Sequence, residues 1–208
     1  MKPAEPSCKS LFSPSGSPSD AVLNWFGEPN EKFGAYAEAY RLAARRLLEK
    51  SSHGELRDIG ACPVVFLYRH SLELYLKEIL ICGQKLLHHQ CKSIQSQDDI
   101  LKSGHNLSKL CDAIKDLHNQ IGFEWELELE GCMAKIKEFD RQDPQSISFR
   151  YPLSKNGSAA LEESFQFDLR HFSDRMEVVL EKLDAISFGI AGVFDQTNSL
   201  HDYSAVES

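Results

Sequence analysis

Arg69, His70, Glu73 and Lys77 are the residues whose types and spacing could do chemistry together. At ~100° per residue on a helix they fall in one sector. A carboxylate, an imidazole and two cations side by side can move a proton or hold an anion. A plainer reading is also available, because Glu73 and Lys77 stand i, i+4 in the favourable order and Arg69 and Glu73 in the opposite order. On an exposed helix such a run is a chain of salt bridges.

The segment that carries them argues for more than that. In Pro63–Cys82, PVVFLYRHSLELYLKEILIC, the remaining positions are filled by residues such as Val64, Leu67, Tyr68, Leu72, Tyr75, Leu76 and Ile79. A helix apolar almost all round is a buried helix. Charges on it must be paired or used, so the sector is expected to face a groove or an interface. Pro63 suits the first turn, which places the helix from about Pro63 to about His89 and makes 51–60 a polar connection.

The other elements follow from their periodicity. Between Asn30 and Lys50 an apolar stripe of Phe33, Tyr36, Ala37, Tyr40, Ala43, Ala44, Leu47 and Leu48 predicts a helix. Arg41, Arg45, Arg46 and Lys50 occupy its other side and read as a solvated face or intrachain pairs before they read as a phosphate contact. After a polar loop over 90–103, Gly104-His105-Asn106-Leu107 opens a helix with His105 or Asn106 at its cap. The stretch FEWELELEGCMAKIKEFDRQD alternates like a strand in its first half, but Trp125, Leu129, Cys132, Ile136 and Phe139 also form a helical stripe, and length favours the helix. Asp143-Pro144 ends it. SISFRYPL (146–153) reads as extended, Asn156-Gly157 as a turn and Glu163–Phe167 as the returning strand of a small hairpin. A last helix is expected over about Asp168–Phe194.

The prediction is therefore all-α, a helical bundle of about five helices with a short extended or hairpin insertion before the last helix. One domain over 21–195 is expected, between a disordered Ser/Pro-rich tail (1–20) and a polar C-terminal tail (196–208). Leu11–Phe12 is at most a weak docking spot in the first tail.

Composition narrows the function classes. A formal net charge of −8 repels polyanions, so contact with nucleic acid would need a local basic patch. Six scattered cysteines without Cys-x-x-Cys read as reduced thiols of a cytosolic protein. No secretory leader and no membrane span are expected. Phosphate-binding glycine loops and the nucleophile elbow are missing, so no cofactor is predicted. His88-His89-Gln90-Cys91 is dense in metal-ligand types, but adjacent histidines diverge on a helix and no second ligand pair accompanies them, so no metal site is predicted. Metal-free RNA cleavage needs a base, an acid and a cation. His70, His105 and Arg150 are the candidates for those catalytic roles, and Arg69, Glu73, Lys77 and Tyr151 the candidates for binding.

Three motifs in order carry a resemblance: Leu72-Glu73-Leu74-Tyr75-Leu76-Lys77, then Gly104-His105-Asn106-Leu107, then Phe149-Arg150-Tyr151-Pro152. Together, over roughly Ala35 to Phe194, they resemble the HEPN superfamily. The resemblance implies a helical bundle that usually dimerises. Many members are metal-independent endoribonucleases of toxin–antitoxin and antiviral defence systems, and others bind RNA, nucleotides or partner proteins without catalysis. Glu73 and Lys77 match the family's Glu and Lys, His105 its His-x-Leu helix start, and Arg150-Tyr151-Pro152 its Arg-Tyr-Pro segment. The nucleolytic members also carry Arg and His with four to six residues between them, and no His follows Arg150 or Arg141 at that distance. Arg46 and His53 fit the spacing but precede the Glu–Lys helix. The expectation is a binding or assembly module, associated with RNA or a defence system and homodimeric. The alternatives are a ribonuclease with a rearranged His/Arg site, or an internal network that only fixes helix packing.

Overall fold

The helix that carries the Arg69 sector, α2, spans Glu55–His89 and forms the axis of the molecule. Around it stand α1 (Phe33–Lys50), α3 (Leu107–Ile121), α4 (Glu126–Gln142) and α5 (Leu169–Val206). This computed structural model describes residues 12–13, 15–22, 32–50, 55–90, 104–122, 126–161 and 165–206, with side chains omitted for 55–57, 126–128 and 197–206. Among the described residues the architecture is an all-α bundle of five helices without a sheet. α2 packs against α1, α3 and α5, while α4 bridges α3 and α5. Tyr68, Leu72, Leu76, Ile79, Leu80, Leu86 and Leu87 of α2 are all buried, on every side of the helix. No described helix is long and apolar enough to cross a membrane.

α2 begins two turns earlier than Pro63 implies, and Pro63 lies inside it. Proline in a helix interior removes the bond to the carbonyl four residues back. Here Pro63 and Ile59 are both exposed, so water can satisfy the freed carbonyl. Gly83 lets α3 approach closely, since a Cβ there would lie 2.3 Å from a Leu117 methyl carbon.

The buried stripe of α1 is Ala37, Arg41, Ala44 and Leu48. It is rotated from the expected one: Tyr36 and Ala43 are exposed, and Arg41 turns inward to α5. α3 is capped by Asn106, whose side chain accepts from Lys109 N at 2.8 Å, and ends on Gly122 in the left-handed region. α4 settles the ambiguous stretch as a helix; the strand-like residues Phe123 and Trp125 lie outside the described residues, as do 1–11, 91–103, His53 and 162–164.

The insertion differs from the expected hairpin. Residues 148–150 form a turn instead of a strand, because Asp143 Oδ1 accepts from Ile147 N and Ser148 N and the Ile147 carbonyl accepts from Arg150 N and Tyr151 N. Among the described residues the one pairing is an isolated antiparallel bridge between Leu153 and Ala159, across the Asn156-Gly157 turn. α5 starts at the Asp168 carboxylate, which accepts from Arg170 N and His171 N. It continues to Val206, beyond the Phe194 end that the sequence implies.

Candidate functional site: the Glu73 cluster

Because α2 is buried all round, its polar sector can persist only where neighbouring segments supply partners. Glu73, 2% exposed, receives three. Lys77 Nζ donates to Oε1 at 2.8 Å, His105 Nδ1 lies 3.0 Å from Oε2, and Arg69 Nη1 donates to Oε2 at 3.4 Å. Burial pushes the Glu73 carboxyl up, but Lys77 and His105 overcome it and hold the group below its ordinary range. A carboxylate only accepts, so Nδ1 of His105 carries a proton and Nε2 is left as the second ring nitrogen. The His105 side chain is 55% exposed, so this imidazole is the place where the buried carboxylate communicates with solvent.

Arg69 sits behind this pair and is fully buried. Its Nη2 donates to His105 O at 2.8 Å and to Asp143 O at 3.1 Å, and its Nε lies 3.2 Å from Asp143 Oδ2. Asp140 Oδ1 is 3.9 Å away, and the same carboxylate accepts from Leu107 N and Ser108 N at the start of α3. One guanidinium therefore ties α2 to the first turn of α3 and the last turn of α4. Burial pulls its pKa down against the opposing pull of Asp143, Glu73 and Asp140.

His70 is half-buried and packs edge-on to Tyr40 at 4.4 Å and over Phe66 at 5.9 Å. Burial lowers its pKa, which Glu73 opposes and Lys77, His105 and Arg150 reinforce, so the ring is disposed to be neutral. Those same four charges mark the neighbourhood in which the sector and the two loop residues meet. Arg150 is exposed, donates from Nε to Ser146 O, and lies 5.5 Å from the ring centroids of both Phe66 and Tyr151. Tyr151 is 56% exposed.

The structure thus brings the named residues into one neighbourhood and sorts them. Arg69, Glu73 and Lys77 are buried and paired among themselves, while His105, Arg150 and Tyr151 form the open edge. Sequence reasoning missed Asp140 and Asp143, although two aspartates three residues apart at a helix end, before Pro144, are typed to receive an arginine and free amides. The basic set on α1 also divides: Arg41 is buried against Glu177 and Glu181, whereas Arg46 and Lys50 are exposed. His88 is exposed and His89 packs edge-on to Phe194; among the described residues no group of three or more His, Cys, Asp or Glu side chains is placed to hold a metal ion. Cys111 and Cys132 are buried, and burial raises the Cys111 thiol to about 12, which makes it inert as a nucleophile. Cys62 and Cys82 are half-buried.

No family model, characterised protein or solved structure matches this chain.

Proposed function

We propose that this protein is a HEPN-like helical binding and assembly module whose His105–Arg150–Tyr151 edge takes a phosphate-bearing ligand of the RNA class. In this reading it acts as a homodimer in the cytoplasm, within a defence or toxin–antitoxin-type system, and does not cut its ligand. The observation that supports it is the division of labour in the cluster. Arg69 and Glu73 are consumed by bonds within the chain, which leaves an exposed guanidinium beside an exposed aromatic ring. Cation and ring together suit a phosphate and the base attached to it. The local positive edge would have to act against the net charge of −8.

A ribonuclease reading draws on one specific observation, that Glu73 anchors Nδ1 of a solvent-exposed His105 and leaves Nε2 free to act as a base. The two readings separate in one experiment. Fluorescence anisotropy with a labelled single-stranded RNA is expected to show saturable binding, weakened about tenfold in Arg150→Ala, while the RNA stays intact on a gel. Cleavage that disappears in His105→Ala would select the ribonuclease. No binding and no cleavage would leave the cluster as a packing network. Analytical ultracentrifugation tests the homodimer directly.

A further inference from the structure

On the α4–α5 side of the molecule, five phenylalanines from four segments close a circuit. Phe139 of α4 meets Phe149 of the turn at 6.3 Å, Phe149 meets Phe165 at 6.1 Å and Phe165 meets Phe167 at 5.6 Å. Phe167 meets Phe172 of α5 at 5.7 Å, and Phe172 returns to Phe139 at 5.5 Å. Aromatic side chains in a core ordinarily fill the space between elements. Phe139 and Phe149 are themselves buried in the core, and all five rings also line one open cavity of about 600 Å³, together with Val65, Met176 and Val179. That volume lies within the ~300–1,000 Å³ of small-molecule sites, which are apolar with a few polar groups at fixed places. Phe167, a lining residue, keeps 39% of its surface in water, and a bound ligand would cover part of it.

Charge selects among ligands. Lys135 and Arg175 stand at the lining with no ion-pair partner among the described residues. Of the two carboxylates there, Asp168 is occupied by the amides of Arg170 and His171, and only Glu138 is left over. Lys135 and Arg175 therefore stand against one uncapped carboxylate, Glu138, and one whose charge the N-terminus of α5 partly offsets, around an aromatic interior. The rings are turned by 74° and 90° to their neighbours at Phe139, so the interior presents both faces and edges, to which a flat aromatic body can pack.

We propose that this cavity binds a planar aromatic anion, a carboxylate or sulfonate, with its ring system among the phenylalanines and its charged head on Lys135 and Arg175. The inference is independent of the reading of the His105 edge, because it rests on other residues and another ligand chemistry.

The test uses the full chain and two fluorescent probes of the same shape, anilinonaphthalene sulfonate and the uncharged phenylnaphthylamine. The sulfonate is expected to bind at a single saturable site, about tenfold tighter than the neutral probe. Both Lys135 and Arg175 lie at the cavity lining, so Lys135→Ala/Arg175→Ala is expected to abolish that difference while neutral-probe binding and the near-UV circular dichroism spectrum persist. Phe167→Ala is expected to weaken both probes alike. Equal affinities for the two probes, an unchanged preference in the double variant, or displacement of the sulfonate by a quaternary ammonium ion at equal concentration would overturn the proposal.

Discussion

Arg69 and Arg41 are both buried arginines on adjacent helices, and the protein uses them in opposite ways. Two of the acceptors of Arg69 are main-chain carbonyls, those of His105 and Asp143, and its side chain has no exposed surface. Among the described residues Arg41 pairs with carboxylates, Glu177 at 2.7 Å and Glu181 at 3.1 Å on α5 and Glu38 on its own helix, and Glu181 is 65% exposed. Burial pulls both pKa values down, but at Arg41 the glutamates win and the net shift is upward, whereas at Arg69 desolvation wins. A carboxylate on a flexible stem can return to water if its partner leaves. A carbonyl fixed in a buried turn cannot. Arg41 is thus a clip between two helices, and Arg69 fixes the backbone on which His105 and the Arg150 turn are built.

Removing Arg69 is the sharpest way to break this contrast. Arg69→Met is expected to cost about 3–5 kcal/mol in urea unfolding, because it strands the buried carbonyls of His105 and Asp143, removes the cation beside Asp143 Oδ2 and takes one of the three partners of Glu73; a loss below about 1 kcal/mol would remove the distinction. Asp140→Ala, which uncaps α3 at Leu107 and Ser108, is expected to cost about 2 kcal/mol and to speed amide exchange there, read by hydrogen exchange. Arg41→Ala is expected to cost about 1–1.5 kcal/mol, less than either, since Glu181 is already largely solvated and part of the pairing is screened.

Glu78 extends the comparison to a carboxyl on α2 whose charged neighbour is another acid. Burial, then Asp184, raise it from 4.5 to about 7, against a hydrogen bond from Ser187. The folded group holds its proton to higher pH than the unfolded one, so its contribution is complete below about pH 4.5 and is lost as pH rises through about 7. Glu78→Gln is therefore expected to gain on the order of 1 kcal/mol over the parent protein at alkaline pH, with the gain vanishing in acid. Urea titrations at the two extremes check it, and a gain that is independent of pH would contradict it.

Much of the bundle could be read in advance. The near all-round apolarity of the Pro63–Cys82 stretch marks a buried helix, and that is what this part of α2 is. Asn106 caps α3, Asp143-Pro144 ends α4 and Asn156-Gly157 makes a turn, each where the local chemistry of those residues places it. Other features misled. Pro63 suggests a helix start, because the preference of proline for the first turn does not register that Ile59, four residues back, lies at the surface where water can reach its carbonyl. SISFRYPL looked extended by residue type, yet Asp143 and the Ile147 carbonyl wrap it into a turn. The polar sector was visible on one helix, while the sorting of its members into buried and open groups was not.

The sequence by itself determined which stretches are helical, the point at which α3 opens and the i, i+4 pairing of Glu73 with Lys77, because these depend on neighbours within a turn or two along the covalent chain. Tertiary structure alone decided that Arg69 reaches Asp143 across 74 residues, that Arg41 reaches Glu177 across 136, and that five phenylalanines gather around a cavity. Such contacts are chosen when helices pack, by which apolar faces bury one another and which charges are then left without water. A pattern confined to one helix names the charges that must find partners, and packing names the partners.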